Sequence, residues 1–221
     1  MIEFNEREAL RYLKANKDDK AAQILVDTVY LKLRNEVQAR YCVKRFQCKV
    51  DAEGVTLDCG VRFTSRLLAK HLADCEELLL LGATLGMRVD AAIRRLTLLS
   101  VTEGAAAQAV GAALIESYLD GVQSKIQSEL DAEASAKEQT PLQQKTRFSP
   151  GYGDWALEEQ KLLFPLLDCA KSIGLTLTDG CMMVPTKSVT AVIGLTHKCQ
   201  PARVGHKCNE CSNIDCEYRE K

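Results

Sequence analysis

Arg147-Phe-Ser-Pro-Gly-Tyr-Gly-Asp-Trp155, followed about thirty residues later by Met182-Met-Val-Pro-Thr-Lys-Ser-Val189, decides how this chain is read. The first segment suits neither a helix nor a regular strand. Pro150 removes a backbone N–H and biases Ser149 towards extended conformations, while Gly151 and Gly153 permit positive φ. The resulting loop gathers an obligate cation (Arg147), two aromatics (Tyr152 and Trp155) and exposed backbone N–H groups. Together these suit a ligand carrying both a carboxylate and a flat ring, because Arg grips a carboxylate bidentately and an aromatic face stacks on a ring. The alternative reading of the same residues is a structural turn leading into a helix.

Upstream, Asn5 is placed to cap a helix, with Glu8 three residues on completing an imperfect capping box. Residues 18 to 40 continue helically, with Ala22, Leu25, Val26, Val29 and Leu33 on one stripe. Tyr41 to Lys49 and Gly54 to Phe63 read as strands, the second alternating Val55, Leu57, Cys59, Val61, Phe63, and Glu53-Gly54 supplies a hairpin turn. Ser65 to Asp74 reads as a short helix and Glu77 to Ala83 as a buried strand. Thr84-Leu-Gly-Met87 opens the next helix, and Arg88 to Leu99 with Glu103 to Leu130 forms the longest helical block. The small residues from Gly104 onward permit close helix approach. Residues 132 to 146 read as a solvated helix end plus linker. Beyond the loop, Leu157 to Ile173 reads as a helix, and Leu175 to Thr178 and Val189 to Leu195 as strands. Strand pairs mixed with helices, without regular βαβ alternation, favour α+β: helices with a twisted antiparallel sheet, here over residues 1–196, and a Cys-rich tail over 197–221.

With 221 residues, 46% of them hydrophobic and 27% charged, the chain can bury a sizeable core and reads as a globular protein. Its formal net charge of -1 argues against nucleic acid as a partner. Leu78 to Ala83 is the longest apolar run, far short of the ~20 residues a membrane span needs. The first residues, Met-Ile-Glu-Phe-Asn-Glu-Arg-Glu, lack the basic-then-apolar pattern of a secretory signal, so the expectation is a cytoplasmic protein without membrane association.

Ten cysteines without such a signal point to thiols, metal ligation or redox chemistry rather than structural disulfides. Cys42, Cys48, Cys59, Cys75, Cys169 and Cys181 are scattered and read as small core residues. Cys199, Cys208, Cys211 and Cys216 are different: C-x8-C-x2-C-x4-C places four thiolates within reach of one ion, with His197 and His206 nearby. Zinc and an iron–sulfur cluster both accept four thiolates, and free or disulfide-forming thiols are the third possibility.

The residues of the loop resemble the reactivation domain of cobalamin-dependent methionine synthase, in which an Arg-x-x-x-Gly-Tyr loop with Pro before the Gly-Tyr pair binds S-adenosylmethionine. Arg147, Pro150, Gly151 and Tyr152 match that loop. Glu8-Ala-Leu-Arg-Tyr-Leu13 looks like the family's opening helix. Ile173-Gly-Leu-Thr-Leu-Thr178 and Met183-x-Pro185-x-x-Ser188-Val189 look like its closing region. Glu116, in Ala-Leu-Ile-Glu-Ser-Tyr, stands where the family has a ligand-contacting glutamate. The likeness covers roughly residues 5 to 195 and is to short standalone versions of the domain. The family's N-terminal aspartate contact has no clear counterpart after Tyr12, where Leu13-Lys14-Ala15 stands.

The resemblance implies an S-adenosylmethionine-binding module that supports reductive methylation of cob(II)alamin. Arg147 would pair with the ligand's carboxylate, Tyr152 and the Gly151 backbone would hold the ligand, and Glu116 would take its amino group or sulfonium. Pro185, Lys187 and Ser188 would face the corrin or simply form a turn entering a strand. No Asp-x-His-x-x-Gly motif is present, so the cobalamin would be supplied by a separate methionine synthase or corrinoid protein, together with an electron donor. That need for an electron favours a cluster in the tail, whereas the frequency of small Cys knots favours zinc. The rival from another class is a non-catalytic interaction module that docks a corrinoid protein through the metal tail.

Overall fold

The computed structural model describes residues 2–198. Its centre is β4 (Glu77–Thr84), which is buried on both faces. Alternation along a strand sends Leu79, Leu81 and Ala83 into one core and Leu78 and Leu80 into the other, so the segment reads in sequence as an unbroken apolar run. Around it lies a six-stranded antiparallel sheet in the order β3-β2-β1-β4-β8-β5. The other strands are β1 (Arg40–Val50), β2 (Gly54–Leu57), β3 (Arg62–Thr64), β5 (Gln143–Gln144) and β8 (Ser188–Thr196). A separate two-stranded ribbon pairs β6 (Thr176–Leu177) with β7 (Met183–Val184). This is the α+β arrangement expected.

One face of the sheet carries the long helices α1 (Glu6–Tyr12), α2 (Lys20–Leu33), α4 (Met87–Leu99) and α5 (Val101–Ala136). Val26, Val29, Leu33, Val89, Ile93 and Leu114 pack there against Leu79 and Leu81. The opposite face carries α3 (Arg66–His71), α6 (Gln160–Leu167) and α7 (Cys169–Ile173), with Phe63, Trp155, Leu163 and Leu167 against Leu78 and Leu80. Among the described residues no helix is long and apolar enough to cross a membrane.

Several local expectations hold. Asn5 caps α1, its side chain accepting from the Glu8 N–H at 3.1 Å, but the Glu8 carboxylate turns to Arg11 instead of closing the box. Ser65 caps α3. Asp51 accepts from the N–H groups of Glu53 and Gly54 and so fixes the β1–β2 turn.

Four expectations are corrected. The second helix ends at Leu33, followed by a 3-10 turn over Arg34–Glu36, because Arg40 is already paired with Thr84 in the sheet. The strand read over 54 to 63 is two strands: at Asp58-Cys59-Gly60 the chain turns, Gly60 at φ +84, and the apolar alternation on either side disguises the break. The helix read over 157 to 173 breaks at Asp168, which is left-handed at φ 52 and ψ 45. The stretch read as solvated linker contains β5 and the buried Lys145, whose ammonium pairs with Asp74.

Candidate functional site

The 147–155 loop is fastened at three points. Phe148 forms an isolated bridge to Val192, its N–H donating at 2.9 Å and its carbonyl accepting at 2.8 Å. Asp154 accepts from the backbone N–H groups of Arg66 (2.8 Å) and Leu67 (3.2 Å) and from the Ser65 hydroxyl, so it helps cap α3. That hydroxyl, with the two N–H groups, holds its carboxyl below the ordinary value, against a burial effect in the other direction. Trp155 is 1% exposed, edge-on to Phe63, with its indole N–H donating to Glu159.

Of the two aromatics read as ligand contacts, only Tyr152 is therefore presented to solvent, at 48% exposure and edge-on to Phe148. Trp155 is core. Gly151 and Gly153 do adopt the positive φ the sequence calls for, +87 and +61. The Gly151 N–H, expected to be exposed, donates to the Trp155 carbonyl at 2.8 Å, and the Tyr152 N–H to Ser149 at 3.1 Å. Those donors hold the loop's own shape. Pro150 is buried beneath it.

Arg147 points away from the loop towards α5. Its Nη2 lies 2.8 Å from Glu116 Oε2 and its Nη1 2.9 Å from Asp120 Oδ1, and Nη1 also donates to Gln123 Oε1. The arginine side chain is 11% exposed, Glu116 34% and Asp120 71%, so one nearly buried guanidinium faces two progressively more open carboxylates. The structure thus brings together Arg147 and Glu116, which the sequence reading assigned to the same ligand.

That reading missed Asp120, Gln123 and Gln127. They follow Glu116 at i+4, i+7 and i+11, so they share its face of the helix, and that periodicity was the available signal. Gln127 and Gln144 complete that face's hold on β5: the Gln144 N–H donates to Gln127 Oε1 at 3.2 Å, and its side-chain amide to the Gln123 carbonyl at 2.8 Å. Tyr12 of α1 also stands beside Glu116. Burial first, then the charges of Glu116 and Glu8, push its phenol up to about 12.

The second motif lies at the far end of β8. Ser188 is four residues from Val192, roughly 13 Å along the strand from the Phe148 bridge. Ser188 and Pro185 are both buried. The Ser188 hydroxyl donates to the Pro185 carbonyl at 2.7 Å and lies 2.8 Å from the Thr84 hydroxyl. Asp90 of α4 accepts from the Thr186 N–H and hydroxyl, at 2.7 and 2.9 Å. Lys187 reaches across to the Gln108 carbonyl at 3.1 Å, and burial pulls its ammonium below the ordinary value. These bonds hold the Pro185–Ser188 turn, so Ser188 and Pro185 shape it from inside rather than presenting polar groups outward.

Among the described residues, β8 between the two motifs is paired with β4 alone, the pairing on its other side stopping at Phe148. Alternation in an antiparallel ladder then directs the N–H and C=O of Thr190 to that outer edge, as it does those of Val192. A surface cavity of about 540 Å³ borders the second motif, lined by Met87, Asp90, Arg94, Leu98, Val184 and Thr186. It includes none of the loop residues. Convergent charges, not concavity, make the surroundings of Arg147 the candidate site.

Among the described residues no group of three or more His, Cys, Asp or Glu side chains is placed to hold a metal ion. Cys199, Cys208, Cys211 and Cys216 lie outside the described residues.

Comparisons with known proteins bear on the family and the fold. Residues 106–211 match the family described as "Vitamin B12 dependent methionine synthase, activation domain". The matched range contains Glu116, Arg147, Gly151, Tyr152 and Ser188. It runs through Cys211, and so takes in part of the tail that sequence reading set apart. The fold is similar to that in "Crystal Structure of the MetH Reactivation Domain bound to AdoHcy", with a TM-score of 0.60 and 16% identity over 86% of this chain and 70% of that one. No curated protein matches the chain.

Proposed function

From a chain that resembles the activation domain of vitamin B12-dependent methionine synthase in both sequence and fold, we propose an S-adenosylmethionine-binding module that supports reductive methylation of cob(II)alamin held by a separate corrinoid methyltransferase. The observation that carries this reading is the constellation of Arg147, Glu116 and Asp120 where the start of the 147–155 loop meets α5.

The charges fit the ligand. One guanidinium and two carboxylates sum to -1, whereas S-adenosylmethionine, with a carboxylate, an ammonium and a sulfonium, carries +1. The Arg147–Glu116 pair is itself a carboxylate–cation pair, so an incoming amino-acid group can exchange partners with it: its carboxylate takes Arg147, its ammonium takes Glu116. Charge-assisted bonds of this kind contribute about 1.5–3 kcal/mol each, enough to offset opening a partly exposed pair. Asp120, the most open of the three, is left to face the sulfonium. The Tyr152 ring and the outer edge of β8 near Thr190 offer a flat surface and backbone polar groups to the rest of the ligand.

In the reaction, one-electron reduction at the cobalt, unfavourable alone, is drawn forward by irreversible methyl transfer from the sulfonium. This chain's residues contribute positioning, not acid–base chemistry. The electron donor and the cobalamin-carrying partner are supplied separately.

The test is calorimetric titration of anaerobically purified protein with S-adenosylmethionine, alone and with a cob(II)alamin-loaded methionine synthase lacking its own activation domain. Binding that the partner strengthens, followed by methylcobalamin formation when an electron source is added, supports the reading. Absence of binding in both conditions overturns it.

A further inference from the structure

Cys42 and Cys169 form a second cluster of reactive groups, on the sheet face opposite α5. Cys42 lies on β1 directly across from Gly82 of β4, and Cys169 opens α7. Gly82 is what lets the two thiols meet. A Cβ there would stand 3.2 Å from the Cys42 sulfur and 3.3 Å from the Cys169 sulfur, so both occupy space that any side chain would take. Both sulfurs thus lie within 3.3 Å of one point above Gly82, near enough for side-chain rotation to bring them together.

The two thiols are not equivalent. Cys42 is half-buried and Cys169 is 1% exposed. The neighbouring Cys169 thiol, aided by the Gly82 backbone and the Lys44 charge, outweighs burial and holds the Cys42 thiol below its ordinary value. The proximity of Cys42, with burial, pushes Cys169 up. Cys42 is thus the reachable, thiolate-forming member and Cys169 the sheltered one.

A second pair supplies contrast. The Cys48 thiol donates to the Cys75 carbonyl at 3.6 Å, but burial pushes the two thiols to about 12 and about 11. Proximity there comes without activation.

We propose that Cys42 and Cys169 are a reversible modification site that exchanges with low-molecular-weight disulfides of the glutathione class. The Cys42 thiolate attacks one sulfur of the disulfide, forming a mixed disulfide and releasing one thiolate. Cys169 then gives up its proton and attacks the Cys42 sulfur, closing the Cys42–Cys169 bond and releasing the second thiolate. The protein loses two electrons and two protons, which reduce the incoming disulfide to two thiols. The bond ties β1 to the α6–α7 junction at Asp168. A dithiol reductant reverses it.

The test treats the full-length native protein with oxidised glutathione, blocks remaining thiols and maps the linked peptides by mass spectrometry. The expected product joins Cys42 to Cys169, with Cys48 and Cys75 recovered as blocked thiols. Cys169→Ser should instead stop at a glutathione adduct on Cys42. In the untreated protein, Cys42 should alkylate at least about ten-fold faster than Cys48 or Cys75. Because the mapping and the alkylation rates use the unaltered chain, they decide the matter even if the variant misfolds. Oxidation confined to the tail cysteines with Cys42 left free, a glutathione adduct persisting on Cys42 in the unaltered chain, or alkylation of Cys42 no faster than of Cys48 would each overturn the proposal.

Discussion

Arg147 and Glu116, thirty-one residues apart in sequence, meet at 2.8 Å where the 147–155 loop crosses α5. The pair links the sequence's two most suggestive ligand contacts in one electrostatic unit and sets their geometry before any ligand arrives. A nearly buried guanidinium held by Glu116, Asp120 and Gln123 has little freedom left to lose on binding. Preorganisation of that kind is where affinity is gained when few contacts are available.

Charge selectivity follows from the excess of carboxylates. Asp120→Asn removes one negative charge without changing shape, and only S-adenosylmethionine, not S-adenosylhomocysteine, carries the sulfonium. The variant should lose about three- to ten-fold in affinity for the first and much less for the second, as one partly screened charge pair near a surface implies. Competitive titration of the two ligands reads this directly, and an equal loss for both would remove Asp120 from the sulfonium's surroundings.

The buried Lys145–Asp74 pair should make stability acid-sensitive. Burial alone would push the Asp74 carboxyl up, but hydrogen bonding and the charge of Lys145 outweigh it and hold it below 3.8. A depressed folded-state value means the stabilisation is complete above the unfolded value and drains away as pH falls through the folded one. Asp74→Asn should therefore cost roughly 2–4 kcal/mol near neutrality, and the gap to the parent protein should close below about pH 4. Urea unfolding as a function of pH checks it; a gap constant into strong acid would assign the loss to something other than this carboxylate.

Two glycines on the same helix should respond in opposite directions. A Cβ on Gly104 would stand 2.7 Å from the Thr97 Cα, where α4 and α5 cross, whereas one on Gly121 meets nothing within 4 Å. Gly121→Ala should stabilise by about 0.5–1 kcal/mol through helix propensity. In Gly104→Ala the same gain is outweighed by an overpacking cost of about 1–3 kcal/mol, because a backbone atom cannot step aside. Thermal unfolding of both variants tests the crossing; stabilisation by both would mean the helices have room to separate.

What the sequence made legible were the features written in local chemistry. Asn5 and Ser65 announce helix starts, Glu53-Gly54 a hairpin, and Leu78 to Ala83 a buried strand. Gly60 and Asp168 were not legible, because apolar alternation before and after Gly60, and helical spacing of apolar residues that continues past Pro165 and Asp168, conceal a single left-handed residue. Lys145 escaped because its burial depends on Asp74, seventy-one residues away. Trp155 misled in the opposite way: an aromatic beside a glycine-rich turn suggests a ligand platform, but only the fold reveals Phe63 waiting for it. At the site, Arg147 and Glu116 were legible through the resemblance, whereas Asp120 and Gln123 show only as a stripe once the helix register is fixed.

The most direct test of the account is calorimetric titration of Arg147→Ala and Arg147→Lys with S-adenosylmethionine, beside the parent protein and with folding verified by circular dichroism. The account predicts measurable binding by the parent, a loss of at least about a hundred-fold in Arg147→Ala, and incomplete rescue by Lys, which lacks the planar fork that grips the ligand's carboxylate bidentately. Parent-like affinity in a folded Arg147→Ala protein would contradict it, leaving the loop as a turn that holds α3, Phe148 and Trp155 in place.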